Sequence, residues 1–302
     1  MSDTSASAID QVAFIGLGAM GLPMATRLLD AGFIVHGADA SMTALDMFAQ
    51  RGGKIFATAR DACQGVSTVI TMLPTGAIVR DVLLGTAGVS PVLGADALVI
   101  DMSSSEPMGT RALADDLAAL GIALIDAPVS GGVRRAVDGS LAIMAGGEAH
   151  LIERARPLFE SMGKSIFATG LVGSGHAVKA LNNFVSASGL QAACEAAIIA
   201  GKFGIDGNVL VDVINASTGR NNSTEVKMKP FILSGTFASG FSMALMAKDL
   251  QTAADLASEL GVNATVARDT AELWSEASAA LGAGADHTEI YRHLAALCGL
   301  HQ

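Results

Sequence analysis

The chain has 302 residues, 51% of them hydrophobic, enough for one large or two ordinary domains with a substantial core, and too apolar for global disorder. A formal net charge of -10, with no clustered Lys and Arg, excludes nucleic acid as the expected partner and suits a protein that handles small molecules.

The N-terminus carries Asp3 and Asp10 and no basic region ahead of an apolar one, so it reads as no signal peptide. Mean hydropathy is +0.47, yet the most apolar long stretch, 177–200, is interrupted by Lys179, Asn182, Asn183, Gln191 and Glu195. It is expected to be a helix buried in protein, not in lipid. Cys63, Cys194 and Cys298 are odd in number and far apart, which fits a reducing cytoplasm. Neither they nor the six histidines offer metal-ligand spacing, so no metal is expected.

Short apolar runs alternate with helical patterns over the first 170 residues. The expected strands are 12–15, 33–37, 68–72, 98–101, 123–126 and 141–145, with helices such as 22–30 and 109–120 between them. This alternation predicts an α/β fold of Rossmann type, a doubly wound sheet binding its ligand at the carboxyl ends of the strands. After Gly170 strand signals fade. Helices are expected over 175–203, 208–216, 242–260 and 263–281, punctuated by Gly204, Pro230 and Gly261. The expected division is a nucleotide-binding domain, 1–170, and an all-helical C-terminal domain, 171–302, joined by a long helix of about 175–201.

In chain order, the first motif is Gly16-Leu17-Gly18-Ala19-Met20-Gly21, a GxGxxG placed between a strand and a helix. The glycines permit a tight turn, close approach of a pyrophosphate and close helix–strand packing, and the helix N-terminus favours phosphate. Asp39 ends the second strand about 20 residues further on, where a carboxylate accepts ribose hydroxyls and repels a 2′-phosphate. Ala40 and Ser41 follow, with no Arg to welcome NADP; the expected cofactor is NAD. Leu73-Pro74 and Ser103-Ser104-Ser105 end two further strands and should border the nicotinamide ribose, although Ser and Pro also suit ordinary turns.

Ser130-Gly131-Gly132 combines a hydroxyl with unhindered backbone N–H groups, suited to a carboxylate and equally to a simple glycine hairpin. Lys179 and Asn183 stand one turn apart in an apolar helix entered through Gly170, Gly173 and Gly175. Burial lowers a lysine's pKa toward the range useful for proton transfer; a snorkelling Lys beside a capping Asn has the same pattern. Lys248-Asp249 lies in another apolar helix, and Arg220 suits a bidentate carboxylate clamp or a structural role.

Taken together and in this order, the Gly16–Gly21 fingerprint, the Asp126–Gly132 turn, the Gly170–Asn183 segment and Lys248-Asp249-Leu250 resemble the β-hydroxyacid dehydrogenase family, in particular its 3-hydroxyisobutyrate dehydrogenase branch. The resemblance runs from Val12 to about Leu297. It implies that Lys179 is the catalytic lysine, that Ser130, Gly131, Gly132 and Asn183 meet substrate, and that Leu73, Pro74, Ser104 and Lys248 lie at the cofactor. Relatives commonly carry Thr where Ser104 stands. The resemblance also implies a homodimer or homotetramer. Imine reductases share the fold but replace the catalytic lysine, and the NADP-preferring members do not match Asp39. Dehydrogenation of a 3-hydroxy acid, reduction of tartronate semialdehyde or a related acid, and a non-catalytic NAD-binding regulator remain the readings to separate.

Overall fold

The structure is a computed structural model and describes residues 10–282 and 284–300. The chain divides into two compact units, Met1–Lys179 and Ala180–Gln302, and the division falls within a single long helix, Ser174–Phe203.

In the first unit the strands are β1 (Gln11–Ile15), β2 (Ile34–Ala38), β3 (Lys54–Phe56), β4 (Thr68–Thr71), β5 (Leu98–Asp101), β6 (Ala123–Asp126), β7 (Val129–Ser130), β8 (Leu141–Gly146) and β9 (Gly163–Gly170). They form one sheet in the order β3-β2-β1-β4-β5-β6-β8-β7, with β9 pairing to β8. Pairing is parallel from β3 to β6, antiparallel from β6 to β8 and from β7 to β8, and parallel between β8 and β9. The Rossmann-type, doubly wound reading is therefore the observed fold.

Every residue of β4 and β5 is buried, which is why those segments are apolar at consecutive positions. Alternate side chains enter two separate cores. Val12, Phe14, Ile70 and Ile100 pack on one face with Met24, Leu28 and Phe159; Ala13, Ile15, Val69 and Val99 pack on the other with Val79, Leu83 and Leu117. The register aligns Ile15 with Thr71, Thr71 with Asp101 and Asp101 with Asp126. The turns leaving β1, β4, β5 and β6 thus emerge side by side on one edge.

Three strands were not legible as apolar runs. β3 and β7 are very short, and β9 (GKSIFATG) is largely exposed along its length. Its side chains bury little, so its sequence carries little hydrophobic signal.

Among the described residues the second unit has no strand of the sheet. Its helices include Gly207–Asn215, Asn222–Val226, Met243–Glu259, Thr265–Leu281 and Ile290–Leu297, with a π-type turn over Met228–Leu233. The core gathers Ala187, Leu190 and Cys194 of the long helix with Met243, Met246, Leu250, Trp274 and Ile290.

The long helix, expected to be buried in protein, is buried on one face only. By length and composition it is able to cross a membrane, but its inward face builds the core just named. Its outward face exposes Leu181, Val185, Ile199 and Phe203, the last at 83%. An apolar residue on every side gives no stripe from which to read which side is covered.

Candidate functional site

Gly16 follows β1 with φ +99°, a region open to glycine, and a Cβ there would stand 2.3 Å from the Met72 carbonyl oxygen. A Cβ on Gly21 would stand 1.9 Å from the Gly16 oxygen, so the loop folds back on the first turn of helix Gly21–Asp30. Gly18, by contrast, meets no heavy atom within 4 Å of such a Cβ. Gly18 and Ala19 are exposed, Met20 is half-buried and Leu17 is buried. The helix has no side-chain N-cap, but the Leu22 N–H donates to the Gly18 carbonyl at 3.0 Å and Pro23 carries no N–H. What the turn offers an outside anion is the open space above Gly18 and the positive end of the helix dipole. This cradle fits a dinucleotide pyrophosphate.

Asp39, just beyond β2, accepts the Leu17 N–H at 2.6 Å and the Ser41 N–H at 2.7 Å, one on each carboxylate oxygen. The acid is thereby fixed beside the glycine loop, and each oxygen keeps lone-pair capacity for a ribose hydroxyl.

Below the adjoining turns lies a buried polar network. Asp101 Oδ1 accepts the Thr71 hydroxyl (2.9 Å) and the Ser103 N–H (3.0 Å), and its Oδ2 accepts the Ser105 hydroxyl (2.8 Å). The Ser103 hydroxyl oxygen accepts the Leu73 N–H at 2.9 Å. The turn carrying Leu73 and exposed Pro74 is thus tied to the turn carrying half-buried Ser104.

Asp126, fully buried at the end of β6, accepts the Gly173 N–H at 2.6 Å and the His176 N–H at 2.7 Å. The His176 ring donates from Nε2 to the Ser103 carbonyl (3.2 Å), and its Nδ1 pairs with the Thr110 hydroxyl (2.8 Å). Burial raises the Asp126 pKa against the opposing pull of His176 and the backbone donors. Gly175 allows the approach, since a Cβ there would lie 2.2 Å from the Met144 carbonyl oxygen. Through these bonds β6 anchors the first turn of the helix that bears Lys179. Asp126, His176, Asp101 and Thr110 were not singled out in the sequence for this supporting role; the available signal was polar residues set inside otherwise apolar strands and helices.

Lys179 is half-buried rather than deeply buried, and Asn183, one turn on, is buried. Asn183 donates through Nδ2 to Asp249 Oδ2 at 2.6 Å and accepts from Asn182 through Oδ1 at 3.1 Å. Asp249 is buried, and its Oδ1 lies 3.2 Å from Lys248 Nζ. The second unit therefore joins Asn183, Asp249 and Lys248 in one array, which ordinary surface charges would not form. Asp249 is the member that sequence reasoning left without a role.

Ser130 is half-buried, followed by exposed Gly131 and Gly132, both with positive φ. Arg220 is exposed, its Nε 3.6 Å from Glu225. Among the described residues no group of three or more His, Cys, Asp or Glu is placed to hold a metal ion.

Two family models match the chain: the NAD binding domain of 6-phosphogluconate dehydrogenase over residues 11–170, and the NAD-binding domain of NADP-dependent 3-hydroxyisobutyrate dehydrogenase over residues 173–294. The NAD-dependent L-serine dehydrogenase of Pseudomonas aeruginosa is 38% identical, over 82% of this chain and 85% of its own. The 3-sulfolactaldehyde reductase of Escherichia coli is 35% identical, over 89% and 90% respectively. The solved structure of Mycobacterium tuberculosis 3-hydroxyisobutyrate dehydrogenase with L-serine superposes with a TM-score of 0.88 at 35% identity, covering 95% of this chain and 99% of that one. With both of its halves matched and such relatives along most of its length, the chain belongs to the β-hydroxyacid dehydrogenase family of NAD-dependent oxidoreductases.

Proposed function

We propose that this enzyme oxidises the hydroxyl of a small 3-hydroxy acid of the 3-hydroxyisobutyrate type, with Lys179 as its proton-transfer residue. The observation that carries the reading is the Asn183–Asp249–Lys248 array beginning one turn beyond Lys179. NAD, when bound, would supply the hydride acceptor; Gly16, Leu17, Gly18, Ala19, Met20, Gly21 and Asp39 would hold it, together with Leu73, Pro74, Ser104 and Lys248.

The Ser130 hydroxyl and the Gly131 and Gly132 N–H groups hold the substrate carboxylate. Arg220 adds to that hold when it exchanges Glu225 for substrate, a swap between two carboxylates at an exposed guanidinium. The neutral Lys179 amine removes the hydroxyl proton as the C–H bond is broken, and in reduction the ammonium returns it. Asn183, its amide fixed by Asp249, holds the substrate oxygen beside the lysine.

A panel of small hydroxy acids, read by NADH absorbance, tests this reading. Turnover of at least one 3-hydroxy acid is expected, and NAD binding without reduction by any of them overturns it. The names of the relatives leave serine-type acids as competing substrates within the same panel, and aldehydes of the sulfolactaldehyde type as competing substrates in the reverse assay, read by loss of NADH. The uncovered apolar face of helix Ser174–Phe203 supports a homodimer or homotetramer, and the buried free thiols of Cys63 and Cys194 support a reducing, cytoplasmic setting.

A further inference from the structure

Lys227 has an unusual position in the second unit. It follows the short helix Asn222–Val226, which lies against the long helix just past Asn183. The Ser223 hydroxyl donates to the Ser186 carbonyl at 3.4 Å, and a Cβ on Gly189 would meet the Asn221 side chain at 3.4 Å. Lys227 is half-buried, and its Nζ donates to the Ser186 hydroxyl at 3.4 Å. Residues 179, 183 and 186 recur at i, i+4 and i+7, one face of a helix. Ser186 lies about 4.5 Å beyond Asn183 along the axis, from a rise of 1.5 Å per residue.

Among the described residues no carboxylate comes within 4.0 Å of Lys227 Nζ. The acid whose charge reaches it, Asp286, is committed elsewhere. Its two oxygens accept the Ser239 hydroxyl, the Gly240 and Phe241 N–H groups, and the Thr288 N–H and hydroxyl. His287 is buried and brings no negative charge. Burial lowers the Lys227 pKa, and Asp286 only partly opposes it. A partly desolvated ammonium with a single long neutral partner is costly to keep unless an anion completes it.

We propose that Lys227 is a specificity residue, and that the preferred substrate carries a second anionic group, a carboxylate or a sulfonate, at the end remote from the reacting hydroxyl. The inference rests on the placement of Asn183 at the substrate oxygen proposed above. A substrate of four or five carbons spans the distance from that oxygen to the Ser186 turn. Lys227 then contributes a charge-assisted bond in place of its weak contact with Ser186.

The test compares three acids on wild type, Lys227→Met and Lys227→Arg: 3-hydroxy-2-methylpropanoate, with one anionic group; 2-(hydroxymethyl)butanedioate, with a second carboxylate; and 3-hydroxy-2-(sulfomethyl)propanoate, with a sulfonate. Wild type is expected to favour at least one doubly charged acid. Lys227→Met should lower kcat/KM for that acid by roughly ten- to a hundredfold, the range of a hydrogen bond to a charged group. For the singly charged acid it should change kcat/KM less than about threefold, and Lys227→Arg should restore most of the loss. The sulfonate and carboxylate arms identify which anion is preferred. A wild-type preference for the singly charged acid, or an equal loss on all three in Lys227→Met, overturns the proposal while leaving the dehydrogenase reading standing. Calorimetric titration of the NADH-loaded protein with butanedioate and with butanoate separates the two readings if no acid is oxidised. Tighter butanedioate binding that Lys227→Met abolishes supports Lys227 alone, and equal binding of the two overturns it.

Discussion

Asp126 receives the backbone N–H of His176 at 2.7 Å, and the ring of the same histidine lies 3.7 Å from that carboxylate oxygen. The bond fastens the end of a central strand to the first turn of the helix that carries Lys179. Asp126→Asn presents an N–H group toward the Gly173 or the His176 donor. It is expected to cost about 2–3 kcal/mol, the penalty of leaving a buried donor unpaired. Urea unfolding checks this, and an unchanged midpoint removes the network from the stability of the fold.

Lys179→Ala should leave NAD binding nearly intact and lower kcat by roughly a hundredfold or more, the usual contribution of a positioned acid–base group. Calorimetry with NAD and steady-state kinetics on the best hydroxy acid measure the two effects separately. Wild-type turnover in this variant takes Lys179 out of the chemistry.

Cofactor choice is expected to rest on Asp39. Asp39→Asn with Ala40→Arg removes the charge that repels a 2′-phosphate and adds one that attracts it, so the ratio of kcat/KM for NAD over NADP should fall. Asp39 also holds the Leu17 and Ser41 N–H groups, and Asn keeps an acceptor for only one of them. Some loss with both cofactors is therefore expected alongside the shift. A wild type that already prefers NADP contradicts the role given to Asp39.

The fold was legible wherever burial was two-sided. The strands at Leu98–Asp101 and Ala123–Asp126 have the bounds expected from their apolar runs, because a parallel strand covered on both faces is apolar throughout. The glycine loop was legible because Gly16 and Gly21 are sterically required. The support under the site was not. Asp126, His176 and Thr110 are far apart in sequence, and only the register of the sheet and the entry angle of the long helix bring them together. Asp249 stayed ambiguous for a related reason: a Lys-Asp pair looks the same in sequence whether it is solvated or pinned to an asparagine from another helix.

A pH dependence of stability should arise in the helical unit. His287 is buried, and burial together with the charge of Lys227 lowers its pKa from 6.5 to about 4. The folded state therefore binds a proton less readily than the unfolded chain. Stability from this residue is fully present above about 6.5 and declines as pH falls toward 4, by about 3 kcal/mol at most. Unfolding midpoints between pH 7 and pH 4 should fall more steeply for wild type than for His287→Gln. Parallel curves would show that His287 already titrates normally in the folded protein.

Helix Ser174–Phe203 starts in one compact unit and finishes in the other, and its opening turn satisfies a carboxylate of the sheet. A shortened gene ending at Gly170 would keep every strand yet strip Asp126 of both backbone donors, stranding an acid inside the sheet. Extending that gene through Lys179 restores them. Anyone dissecting the protein or grafting its nucleotide half onto another catalytic half therefore has to carry the lysine's own turn along with the sheet.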